Sequence, residues 1–191
     1  MKPSVFSKSI LCSLFALIVQ SSLLAQEMSR GTMLLSAFCL DTYGSEQTNS
    51  AITIDCLCER ELSVSGFAVS FGQAECTGLQ TNISFCATNE VGSIVASGHV
   101  EETPSPVATV HSALMGIGAN SLPIFAITNR WTSIPVNNGF MLSSNPIETN
   151  EAVNVYYGKC NLLIYVNSKI GGSTSTFLTE LMSSIMEIPG D

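Results

Sequence analysis

The sequence predicts a mainly β protein, an antiparallel sandwich or small barrel with one C-terminal amphipathic helix and a disulfide framework. Three observations carry this reading. Short apolar segments are separated by turn signals about every 8 to 15 residues, the pattern of many paired strands. Residues 174–188 alone switch to a helical period. Six cysteines follow a segment laid out like an export signal, and cysteines in an oxidising compartment pair.

That segment, residues 1–25, has Lys2 and Lys8 in a polar start, an apolar run from Ile10 to Val19 and a short tail ending at Ala25. A charged start stays on the cytoplasmic side while the apolar run enters the translocon, which is the order of a cleaved secretory signal peptide. The ten-residue run is half of the ~20 residues that a spanning helix needs. The expectation is therefore a signal peptide at 1–25 and a single secreted β-rich domain at 26–191. That domain would be extracellular, or periplasmic or at the cell surface in a bacterium, with no transmembrane segment in the mature chain. Cys12 lies in the apolar run and leaves with it.

Along the mature chain, residues 33–40 and 51–58 read as strands; in the second, Ile52, Ile54, Cys56 and Cys58 alternate onto one apolar face. Ser65-Gly66 breaks the phase between Leu62/Val64 and Phe67/Val69/Phe71 as a turn or bulge, and residues 72–75 close that run. Cys76 and Cys86 bracket a polar loop and are placed either to close this hairpin on themselves or to tie it to Cys56 and Cys58. Residues 92–101 form a strand, ended by Pro104-Ser105-Pro106. Residues 107–127 are apolar but carry Gly116, Gly118, Asn120 and Pro123, and so read as two strands with a tight connection. Asn137-Asn138-Gly139 marks a hairpin between 131–136 and 140–142, and Gly158-Lys159 a second one between 150–157 and 160–166. Gly171-Gly172 then hinges into the helix, whose stripe is Phe177, Leu178, Leu181, Met182, Ile185 and Met186.

The mature cysteines are Cys39, Cys56, Cys58, Cys76, Cys86 and Cys160, an even count that points to three bridges. Adjacent inward positions on one strand have poor bridge geometry, so Cys56 and Cys58 are expected to bond to different partners. Asn82-Ile83-Ser84 makes Asn82 a candidate glycosylation acceptor on an exposed loop in a host that glycosylates. After cleavage five scattered basic residues face fifteen acidic ones, which excludes the concentrated positive patch that nucleic acid requires.

Chemistry is sparse. Only His99 and His111 are present, no serine lies in a Gly-x-Ser-x-Gly elbow, and no phosphate-binding glycine loop, dinucleotide fingerprint or calcium loop occurs. His99 and Glu101 share one face of a strand, near Glu102 and His111, which alone is too few converging ligands for a metal. Carboxylate pairs need no histidine; Glu59/Glu61 or Glu101/Glu102 with Asp41 or Asp55 are the candidates for glycoside cleavage. Tyr43, Trp131, Tyr156, Tyr157 and Tyr165 are candidates for a carbohydrate-stacking patch.

The sequence reading is a secreted or cell-surface binding protein without catalysis, cofactor or metal, whose partner is a protein or carbohydrate. Self-association through the C-terminal helix is a further expectation. The first alternative is a small secreted hydrolase using a glycosidase-like carboxylate pair. The second is an eight-stranded outer-membrane barrel, which the mature length permits and the cysteines and terminal helix disfavour.

Overall fold

The fold is described from a computed structural model covering residues 30, 33–38, 40, 53–77, 80–116, 124–144 and 151–188. The expected signal peptide, the Cys39 thiol, Asp41 and Tyr43 lie outside the described residues.

Eight strands form one antiparallel sheet with a C-terminal helix. They are β1 (Glu61–Val64), β2 (Phe67–Thr77), β3 (Gln80–Thr88), β4 (Ile94–Glu102), β5 (Trp131–Ile134), β6 (Phe140–Ser144), β7 (Val153–Lys159) and β8 (Leu162–Ser168). The spatial order is β1-β2-β3-β4-β8-β7-β6-β5, so two four-stranded meanders meet where the last strand of each pairs with that of the other. Helices α1 (Pro106–Gly116), α2 (Ile124–Thr128) and α3 (Thr174–Met186) join them, and residues 33–37 are also helical.

The two sheet faces differ in what covers them. On one face Val69, Phe71, Ile83, Phe85, Val100, Met141, Tyr157, Ile164 and Val166 form a cluster with Phe177, Leu178, Leu181, Met182 and Ile185 of α3. This cluster draws buried residues from every strand but β5, whose partly buried Ile134 packs against it. Phe177 meets Phe67 edge to face, with centroids 5.9 Å apart. On the other face a second cluster packs Val107, Val110 and Leu114 of α1 with Phe140, Leu142, Tyr156 and Leu163, joined by Leu34 and Phe38 from residues 33–38.

The helical stripe at 174–188 is thus buried against the sheet as its spacing requires. Ser168 and Thr174 hydroxyls, both buried, bond at 2.8 Å, and Thr174 Oγ1 donates to Gly171 O, which fixes the exit of β8 to the start of α3. The Ser65-Gly66 turn is also as expected: both residues have positive φ, 52° and 80°, as a two-residue hairpin turn matching strand twist demands.

Several expected elements differ. Residues 33–37 are helical, not a strand. Within 51–58 the described part holds a 3-10 turn, Asp55–Leu57, in which Ile54 and Leu57, three apart, are fully buried while Cys56 and Cys58 are only partly so. Three residues per turn, not two, decides which side chains go inward. Strand β2 does not end at Gly72; it passes through a bulge between Phe71 and Ala74 and continues to Thr77. The region 107–127 holds α1 and α2 in place of strands. Ser105 Oγ accepts the Ala108 amide and Pro106 takes the first turn, so Ser-Pro opens a helix here and the buried set Val107, Val110, Leu114 follows the helical period.

The second hairpin turns at Cys160-Asn161, since Lys159 pairs with Leu162; Cys160 carries φ 54°. Gly158 stays inside β7 because the Phe140 ring covers it, and a Cβ there would lie 2.2 Å from Phe140 Cε1. The Asn137-Asn138-Gly139 hairpin exists with a longer loop, because pairing of β5 and β6 stops at Ile134 and Met141.

Cys56, Cys58, Cys76 and Cys86 form no disulfide in this structure. A bridge from Cys76 to Cys86 is ruled out by register: Cys76 faces Thr81, five residues or roughly 17 Å along β3 from Cys86. Asn82 sits within β3 and not on a loop, with its carbonyl oxygen buried.

Candidate functional site

Alternation along β2, β3 and β4 sends Val69, Phe71, Ile83, Phe85 and Val100 to α3 and leaves the opposite face polar. On that face Gln73, Glu75, Asn82, Ser84, His99 and Glu101 line a depression of about 320 Å³, at the lower end of small-molecule sites. Two rows build it. Glu75, Asn82 and Glu101 are register partners across three strands, and one step along the strands Ser84 and His99 are partners beside the bulge that carries Gln73. The bulge matters because Gly72 leaves room for Ser84: a Cβ there would lie 2.6 Å from Ser84 Oγ.

The row through His99 continues into aromatic rings. His99 faces Tyr165 with centroids 5.4 Å apart, Tyr165 faces Tyr156 at 5.0 Å, and Tyr156 faces Trp131 at 5.3 Å. Asn154 holds the ladder in place, its Oδ1 accepting from the Tyr165 hydroxyl at 3.1 Å and from Asn167 Nδ2 at 2.9 Å. Of the expected aromatic patch, Trp131, Tyr156 and Tyr165 therefore come together, while Tyr157 points into the opposite core.

Glu101 is the unusual member. It is 6 % exposed, one carboxylate oxygen has no hydrogen-bond partner, and the neighbouring Asn82 Oδ1 is likewise buried and unpartnered. Burial pushes the Glu101 carboxyl above the usual carboxylate range, against the opposing effect of a hydrogen bond from Thr109 on α1. Burial also lowers the His99 imidazole, so it is held neutral at neutral pH.

His99 and Glu101 share a strand face, as the two-residue spacing implies. Of the expected carboxylate sets, Glu101 and Glu102 point to opposite faces of β4, Asp55 is exposed on the 3-10 turn, and Glu59 lies beside the depression, its Oε1 accepting from Gln73 Nε2 at 3.4 Å. Glu75 takes the second position instead, two strand spacings from Glu101, or roughly 10 Å between Cα atoms. Closing the run at 72–75 hides Glu75, and with it the row that Asn82 and Ser84 join; the alternation after the bulge, Ala74 inward and Glu75 outward, is the signal that finds them. Among the described residues no group of three or more His, Cys, Asp or Glu side chains has the arrangement to hold a metal ion, and no helix is long and apolar enough to cross a membrane. No protein-family model, curated protein or solved structure matches this chain.

Proposed function

We propose that this is an exported binding protein whose polar depression on β2, β3 and β4 takes a sugar-sized ligand. The observation that carries the reading is the continuity of two surfaces that carbohydrates use together. A set of hydrogen-bonding side chains, Gln73, Asn82, Ser84 and Glu101, adjoins rings with polar tips at His99 and Tyr165. Export, from the layout of residues 1–25, is part of this proposal, as is oxidation of the six mature cysteines with Cys76 and Cys86 bonded to different partners. Non-reducing peptide mapping of the exported protein tests the cysteine pattern; free thiols at all six positions overturn it.

Titration with glucose, galactose and mannose, followed by NMR at His99 and Tyr165, tests the binding reading. Saturable shifts that disappear in Ser84→Phe, which fills the depression, support it; no shift with any of the three overturns it.

The second reading is inverting glycoside hydrolysis, favoured by the placement of Glu75 and Glu101 in one row. Inverting enzymes separate their carboxyls by about 6.5–9.5 Å, with the acid kept protonated by burial. Glu101 then serves as acid and Glu75 as base. Release of inverted sugar from aryl glycosides, lost in both Glu75→Gln and Glu101→Gln, supports this reading against simple binding.

A further inference from the structure

We propose that the depression selects a ligand carrying a protonated amine, such as an amino sugar, seated between Glu101 and Asn82. This inference rests on the sugar-binding reading and names the ligand class of the same site.

The argument is one of unmatched acceptors. Glu101 Oε1 and Asn82 Oδ1 belong to register partners, both are buried, and both lack a hydrogen-bond donor. Buried acceptors without donors are costly, and a carboxylate costs most, so a site that keeps two of them side by side is completed by a donor from outside. The six lining residues include no lysine or arginine. Glu75, the third member of the row, adds an exposed carboxylate. His99 borders the row and Tyr165 presents its ring next to it, a surface that tolerates a cation. Thr109 donates to Glu101 from the α1 side, so the carboxyl is fixed in place before a ligand arrives.

An ammonium group matches this set better than a neutral hydroxyl. It brings three donors and no acceptor, and its charge answers the desolvated carboxylate. A hydroxyl brings one donor and lone pairs that meet Glu101 and Asn82 unfavourably.

The test compares glucosamine with glucose and adds n-butylammonium, which has the amine and no sugar ring. Glucosamine is expected to bind at least about tenfold more tightly than glucose. Glu101→Gln should bring the ratio of the two affinities near one, and Glu75→Gln, at an exposed position that leaves folding intact, should lower it partway. Equal affinity of the parent for glucose and glucosamine overturns the amine inference while leaving the sugar-binding reading standing. Binding of n-butylammonium with neither sugar bound supports the amine and overturns the sugar. Failure of both glucosamine and n-butylammonium to bind overturns the inference. So does an Asn82 side-chain amide protected from exchange by a bond to Glu101, because the two residues would then satisfy each other.

Discussion

The halves of the sheet solve the same packing problem differently. In β7 and β8 most of both faces is buried: Val155 and Tyr157 lie in the cluster that includes α3 on one side, while Tyr156 and Leu163 lie in the cluster that includes α1 on the other. In β2, β3 and β4 the α3 face is covered, while the other face carries polar residues and is covered by α1 only as far as Glu101. A strand covered on both faces leaves few positions for chemistry, here the partly buried Tyr165 at the edge of the cover, whereas one covered on a single face can present every second residue. The depression therefore sits at the step where α1 stops shielding the sheet, and Thr109 on α1 reaches Glu101 at that boundary.

The largest test of this contrast sets a change under the face that α3 covers against one on the open face. Leu181 of α3 is fully buried. Leu181→Ala should cost about 2–5 kcal/mol, and Leu181→Asp should prevent folding, since an unpaired buried charge adds to the lost packing. Ser84→Ala on the open face should change stability by no more than about 0.5 kcal/mol. Denaturant melts of the three variants decide it; a similar cost for Leu181→Ala and Ser84→Ala would break the comparison.

The seam between the halves comes next. A Cβ at Gly98 would lie 1.9 Å from Tyr165 O, a backbone atom, whereas at Gly158 it meets a movable Phe140 ring. Gly98→Ala should therefore destabilise more than Gly158→Ala, which should cost about 1–3 kcal/mol. Melts that reverse the order would show that the β4–β8 seam yields more easily than the ring.

Smaller effects come from titration. Because burial raises the native Glu101 carboxyl, the folded state binds its proton more tightly than the unfolded state does. Its stabilising contribution is complete below the ordinary carboxylate value of 4.5 and is lost as pH rises through the raised native value. Glu101→Gln should be more stable than the parent at pH 7, with the gap narrowing towards pH 4. His99 acts in the opposite direction: its native pKa is depressed below 6.5, so stability falls as pH drops through that region. His99→Gln should flatten the parent's loss between neutral and mildly acid pH. Melts across pH with no difference between parent and variant would remove these groups from the account.

Local patterns made part of this structure legible. The Ser65-Gly66 turn, the strand through His99 and Glu101 and the stripe of α3 all follow from spacing and turn chemistry, because the forces that fix them act within a few residues. Around Cys56 the inward and outward sets differ from the strand expectation, because two residue periods fit the same short apolar run and only burial of Ile54 with Leu57 selects the 3-10 turn. Gly158 resembled a turn for a similar reason: a glycine that makes room for Phe140 looks the same in sequence as one that lets the chain reverse.

By itself the sequence determined a mainly β chain with one terminal amphipathic helix, because period and turn residues are local properties. Tertiary structure decided that the strands make a single sheet with β4 beside β8, and that Glu75, Asn82 and Glu101 stand in one row. Register and coverage come from pairing between residues far apart in the chain, where no local preference can choose the partner.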